Sequence, residues 1–191
     1  MDFPFSLTMT EMTESAGRII PVSADVVYDL VIAGGGPAAM TAAVYAMRKG
    51  MKTALVTPSF GGQLAETAAV ENYLGYRFIE GTALSTKFLD QVRQFELAVA
   101  EGSPVVSMRA GTPHRFVCAN GMILSGLCAL IATGKSYRRL DVPGEREFTG
   151  RGVSYCTICD APLFAGRGVL VAGGGNSAAS AALDLAKGSS K

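Results

Sequence analysis

Two stretches of this chain follow one local plan: an apolar run, a glycine-rich turn, then a helix-forming segment. In the first, residues 28–33 lead into Gly34-Gly35-Gly36-Pro37-Ala38-Ala39. In the second, residues 168–172 lead into Gly173-Gly174-Gly175-Asn176-Ser177-Ala178. Such a plan limits the fold severely. Glycine lets the chain turn sharply from a strand into a helix, and it leaves room for an anion to approach the backbone. The helix start then offers free N–H groups and partial positive charge to that anion. Ala39 and Ala178 stand where a small third residue permits close helix–strand contact. One Gly-x-Gly-x-x-Ala is a weak signal, and the strand-before, helix-after context strengthens it. The competing reading is a plain tight turn with no ligand.

The apolar run Leu30-Val31-Ile32 suits a buried parallel strand. A helix is expected over 37–49, with Pro37 at its first position, Arg48 and Lys49 at its negative end and Gly50 closing it. Residues 53–57 form the next strand, completing a βαβ unit. Residues 60–81 lack clean periodicity, and irregular stretches of that length are usually functional or disordered. A helix is expected over 82–100, with Leu84, Phe88, Val92 and Phe95 on one face. Short strands follow near 104–108, 115–119, 122–124 and 127–131, then a linker through Val142-Pro143-Gly144-Glu145. The second plan predicts a strand over 168–172 and a helix over 176–187. The fold class is therefore α/β. Residues 1–27 read as a mobile extension, 28–136 as the first nucleotide-binding domain and 137–191 as the start of a second.

Between the two plans lies Cys156-Thr157-Ile158-Cys159-Asp160. Two cysteines at this spacing allow a short disulfide, and a thiolate at a helix start is stabilised for exchange. Asp160 adjoins the pair and can supply or accept a proton. A zinc half-site is the first alternative, but it lacks partners at suitable spacing, with only Cys118, Cys128 and His114 left over. A pair of inert buried thiols is the second alternative. Cys118 and Cys128 read as small core residues, and His114 as a surface loop residue. Two dinucleotide-type turns flanking a Cys-x-x-Cys suggest electrons passing between nucleotide cofactors and a dithiol.

Composition narrows the rest. The net charge of +1 gives no general attraction to nucleic acid or to an acidic membrane. The uncharged run 30–47 is long enough to raise a membrane span, but Gly34-Gly35-Gly36-Pro37 interrupts it. No basic n-region followed by an apolar core is visible at the N-terminus, so a cytoplasmic location is expected, where close cysteines are redox-active or metal-binding.

At this point the residues match a known family. The chain resembles the N-terminal part of the low-molecular-weight thioredoxin reductases. The resemblance runs through Gly34-Gly35-Gly36-Pro37-Ala38, Gly61-Gly62-Gln63-Leu64, Val70-Glu71-Asn72-Tyr73, Ala132-Thr133-Gly134, Gly152-Val153-Ser154-Tyr155-Cys156-Thr157-Ile158-Cys159-Asp160 and Gly173-Gly174-Gly175-Asn176-Ser177-Ala178. Asp160-Ala161-Pro162-Leu163-Phe164 is also similar to the flavoprotein component of alkyl hydroperoxide reductase, whose N-terminal thioredoxin-like region residues 1–27 are too short to supply.

The resemblance implies a Rossmann-type FAD-binding domain, a three-layer ββα arrangement, interrupted by a Rossmann-type NADPH-binding domain that is incomplete here. Gly34, Gly36, Pro37 and Ala38 would hold the FAD pyrophosphate. Gln63 and Asn72 would line the flavin side, with Leu64, Thr133 and Gly134 as further cofactor-site residues. Gly173, Gly175, Asn176, Ser177 and Ala178 would hold NADPH. Cys159 would face the flavin, Cys156 would attack the partner's disulfide, and Asp160 would be the acid. The implied partner is thioredoxin or a similar disulfide protein, and the implied assembly of the full-length family is a homodimer.

Three departures accompany it. Val56-Thr57-Pro58 replaces the usual acidic residue for the ribose, so weak FAD binding is expected. Ser180 and Ala181 stand where the family is acidic. The chain stops before the strand that would select the NADPH phosphate, so no NADPH turnover is expected from it alone.

Overall fold

The computed structural model describes residues 19–67 and 69–188; the side chains of Ile158, Cys159 and Lys187 fall outside the description. The described residues fall into two compact units. One combines the residues through Glu66 with Ile79–Lys135, and the other combines Thr67–Phe78 with the residues from Ser136 onward.

The first unit is an α/β layer structure on one seven-stranded sheet. Its strands are β1 (Ile19–Pro21), β2 (Val27–Ala33), β3 (Thr53–Thr57), β4 (Leu97–Glu101), β5 (Val105–Arg109), β6 (His114–Cys118) and β7 (Ile123–Ile131). Their order across the sheet is β1-β4-β3-β2-β7-β6-β5. The first five in that order run parallel, and β7, β6 and β5 form an antiparallel arm. Helices α1 (Pro37–Arg48) and α2 (Gly81–Val92) cover one face. There Leu30, Ile32, Leu55, Leu97 and Val99 meet Ala39, Met40, Ala43, Ala46 and Val92. The helical spacing of those α1 residues gives it one apolar stripe. On the opposite face Val31, Val56 and Ala98 lie under Phe116 and Cys118 of β6 and Leu124 of β7.

The structure corrects the sequence reading in several places. The helix expected over 82–100 ends at Val92, and Phe95 lies beyond it. Residues 97–101 are instead the parallel strand β4, seated between β1 and β3. Leu97, Ala98, Val99 and Ala100 are all buried, which a slot between two strands provides and one helix face does not. Burying Leu97 and Val99 contributes about 1.5–3 kcal/mol each. Residues 19–27, expected to be mobile, supply β1 and the lead into β2, with Ile19–Pro21 paired along Leu97–Val99. The two strands expected over 122–131 are one, and its outer half is exposed: Leu127, Ile131 and Cys128 are not core residues. Cys118 is buried, as expected. His114 begins β6 and accepts a hydrogen bond from the Gly111 N–H at 3.2 Å.

The second unit carries α3 (Glu145–Phe148), α4 (Thr157–Asp160), a 3-10 turn (Ala161–Phe164) and α5 (Asn176–Gly188). The stretch expected to be linker thus contains a helical turn. The strand expected over 168–172 does not form, because no described strand lies beside it to accept its hydrogen bonds. Leu170 is 91% exposed.

Candidate functional site

The first glycine turn is braced from three sides. The Gly34 N–H donates to the Val56 carbonyl at 2.8 Å, tying the turn to the end of β3. Gly34 has φ of 132°, and a Cβ there would lie 2.7 Å from the Ala132 carbonyl carbon. Only glycine serves at that position. A Cβ on Gly35 would fall 2.5 Å from the Ser59 carbonyl oxygen. The Gly61 N–H donates to the Gly35 carbonyl at 2.9 Å, so the segment Gly61-Gly62-Gln63-Leu64 lies against the turn.

Gly36 differs. Its backbone is extended, and a Cβ there would meet nothing nearer than Gly62 Cα at 4.0 Å. It is the N-cap of α1, and no side chain caps that helix start. Pro37 at the first position needs no N–H partner. The first turn of α1 holds no acidic residue, and Pro37 and Ala38 are exposed. An uncapped, uncharged helix start beside an open glycine is a cradle for an anion such as a pyrophosphate.

Thr57 occupies the position where a ribose-binding carboxylate was expected. It is buried, and its hydroxyl donates to the Ser59 carbonyl at 2.6 Å and accepts from the Ser59 N–H at 3.3 Å. That hydroxyl is committed to the loop, so the ribose would need a different partner. Gln63 is half-buried in a 3-10 turn over Gly62–Leu64, with its amide nitrogen 3.4 Å from Glu66 Oε2, and Leu64 closes that turn. Thr133 and Gly134 follow β7 and are exposed. Asn72 is exposed on the 67–78 segment of the second unit.

In that second unit Cys156 is disulfide-bonded, whereas Cys118 and Cys128 are free thiols. Burial pushes the Cys118 thiol up from its usual range, which makes it an inert core residue. The Cys159 side chain lies outside the described residues, while its backbone belongs to α4. The Asp160 N–H donates to the Cys156 carbonyl at 3.0 Å, closing one helical turn across the motif. Ser154 joins its two ends: its hydroxyl donates to Asp160 Oδ2 at 2.6 Å and accepts the Cys156 N–H at 3.1 Å. The carboxylate is thereby held beside the turn that carries the sulfur.

Gly173, Gly174 and Gly175 lead into α5, with Asn176 and Ser177 exposed and Ala178 half-buried. Gly173 has φ of 141°, and Ala178 Cβ would lie 3.1 Å from a Cβ placed on it.

Sequence reasoning missed Glu145, which it left in a linker. Glu145 is buried, and its carboxylate accepts the Leu140 N–H at 2.8 Å, the Asp141 N–H at 2.7 Å and the Tyr155 hydroxyl. The Tyr155 hydroxyl bond, then the bond from Leu140, hold Glu145 below the usual carboxylate range. The same bond, with desolvation, raises the Tyr155 phenol. The only hint in sequence was an acid directly after Pro143-Gly144, ten residues before Tyr155.

Comparisons with known proteins show the family of the chain. The family model described as "Pyridine nucleotide-disulphide oxidoreductase" matches residues 28–191. The chain belongs to that family. An alkyl hydroperoxide reductase component of Pseudomonas putida is 40% identical over 168 residues, covering 86% of this chain and 32% of that protein. Among solved structures, thioredoxin reductase from Streptococcus pyogenes MGAS5005 is 37% identical with a TM-score of 0.74, covering 84% of this chain and 53% of that one. Thioredoxin reductase from Giardia duodenalis is 33% identical with a TM-score of 0.78, covering 86% of this chain and 54% of that one. The chain therefore spans about a third of the curated relative and about half of each solved reductase.

Proposed function

We propose that this chain carries the flavin-side turn and the redox dithiol of a disulfide reductase that draws electrons from NADPH through FAD and delivers them to thioredoxin. The observation that carries the reading is the disulfide-bonded Cys156 at the mouth of α4, with Asp160 held one turn away by Ser154. The family match and the likeness to thioredoxin reductases support it. No helix among the described residues is long and apolar enough to cross a membrane; the run 30–47 divides into β2 and α1. A cytoplasmic location and a homodimeric full-length assembly belong to the same proposal.

The open side of Gly36 and the uncapped start of α1 fit a pyrophosphate, so Gly34, Gly36, Pro37 and Ala38 would hold FAD, with Gln63, Leu64, Thr133 and Gly134 toward the rest of it. The flavin, when bound, would supply a two-electron relay between nicotinamide and disulfide. Gly173, Gly175, Asn176, Ser177 and Ala178 would hold NADPH. Once reduced, Cys156 passes its thiol proton to the Asp160 carboxylate and attacks one sulfur of the partner's disulfide. The other partner sulfur leaves as a thiolate and takes a proton from Asp160. Cys159 then attacks Cys156, re-forming the intramolecular disulfide and releasing the second partner thiol. Two electrons pass from the dithiol to the partner.

A second reading has its own support. The 40% identity to the alkyl hydroperoxide reductase component favours a different disulfide partner, such as a peroxiredoxin. One experiment separates the two. The chain is reduced, freed of reductant, and mixed with oxidised thioredoxin or an oxidised peroxiredoxin-type protein. Thioredoxin should gain two thiols per reduced chain. Thiols gained only by the peroxiredoxin would replace the first reading with the second, and thiols gained by neither would overturn both.

A further inference from the structure

We infer that Glu145 and Tyr155 are positioning residues for the redox disulfide, acting as a clamp that ties the segment entering the second unit to the residue preceding Cys156. The inference rests on the dithiol-exchange reading above and deepens it.

One buried carboxylate gathers three donors from two separate stretches. Leu140 and Asp141 donate through their backbone, at 2.8 and 2.7 Å, and Tyr155 donates through its hydroxyl. Asp141 adopts a φ of 55°, uncommon for a residue with a side chain, at the point where the carboxylate grips it. The Tyr155 ring stacks on Tyr137, with centroids 5.2 Å apart and planes 18° from parallel. Residues 137–141 and Tyr155 are thus joined twice, directly by the stacking on Tyr137 and indirectly through the Glu145 carboxylate that accepts from both.

Tyr155 is bonded directly to Cys156, whose N–H is itself held by Ser154 at 3.1 Å. The clamp therefore fixes the direction from which the chain delivers the sulfur. It is closed in a structure whose Cys156 is oxidised. The inferred clamp is tighter with the disulfide formed, the state in which it is seen closed, and so favours the disulfide by its differential strength. A buried carboxylate stripped of donors is costly, so each donor to Glu145 helps to keep the clamp closed.

The test is the midpoint potential of the Cys156 disulfide, measured on the whole chain in dithiothreitol redox buffers. Tyr155→Phe removes one hydroxyl while keeping the stacking and the two backbone donors. Glu145→Ala removes the hub, and Glu145→Gln restores one acceptor oxygen. Glu147→Gln changes an exposed carboxylate on the same helical turn and serves as control. Tyr155→Phe and Glu145→Ala should each shift the equilibrium toward the dithiol about tenfold, about 30 mV for a two-electron couple. Glu145→Gln should shift it less, and the control should not shift it. Should Glu145→Ala lose its circular dichroism, Tyr155→Phe alone decides. A wild-type potential in Tyr155→Phe, or an equal shift in the control, overturns the inference alone. A wild-type disulfide that does not titrate at all overturns the exchange reading beneath it.

Discussion

Gly34-Gly35-Gly36 and Gly173-Gly174-Gly175 begin alike: the first glycine has positive φ in both, and a helix follows each. Their settings differ. Around the first turn the residues ending β3 and following β3 and β7 crowd Gly34 and Gly35, which have no room for a side chain. Around the second, Gly174 and Gly175 face open space, and the residues before them pair with no described strand. The same local sequence makes the same turn twice, but only a sheet turns it into a rigid cradle. Glycine is required at the first turn for two distinct reasons. Gly34 and Gly35 are fixed by the protein's own atoms, whereas Gly36 is open toward any ligand.

Matched substitutions put this contrast to the test. The largest effect should come from Gly35→Ala set against Gly174→Ala. The first forces a methyl against Thr57 and Ser59 and should cost about 2–3 kcal/mol, read from the urea midpoint. The second meets nothing within 4 Å and should stay within about 0.5 kcal/mol. Equal losses at both sites would mean that the bracing is unimportant. A smaller effect on the fold, with a clear one on binding, should come from Gly36→Val. Its backbone is unstrained and its surroundings are open, so the protein should fold normally. Its FAD affinity should fall at least tenfold, about 1.4 kcal/mol, in a fluorescence titration. Equal FAD binding by wild type and variant would remove the pyrophosphate from this turn.

What the sequence revealed, and what it concealed, follows from the range of the interactions. The turn at Gly34 and the helix from Pro37 were legible because glycine, proline and alanine act locally. The cysteine motif was visible by its spacing, and Cys156 is disulfide-bonded, while the Cys159 side chain lies outside the described residues. Leu97-Ala98-Val99-Ala100 was not legible. It continues the apolar rhythm of α2 with no glycine or proline to mark a stop, and only the slot between β1 and β3 makes it a strand. Ile19–Pro21 was hidden similarly, since three residues show no period until they pair with β4. Residues 168–172 erred in the other direction: an apolar run reads as a strand, yet a strand is a property of pairing. Glu145 looked like any linker acid, because its three donors converge only after the chain folds.

A redox-active disulfide at Cys156 is tested most directly by treating the folded chain with or without mild reductant, removing the reductant, and counting thiols in denaturant. Cys118 and Cys128 are free throughout, so they set the baseline once the protein is opened in denaturant. Two further thiols are expected in the wild type after reduction, and no reductant-dependent increase in Cys156→Ser. No new thiols in the wild type, or zinc retained in equal amount with the chain through purification, would contradict a redox-active pair.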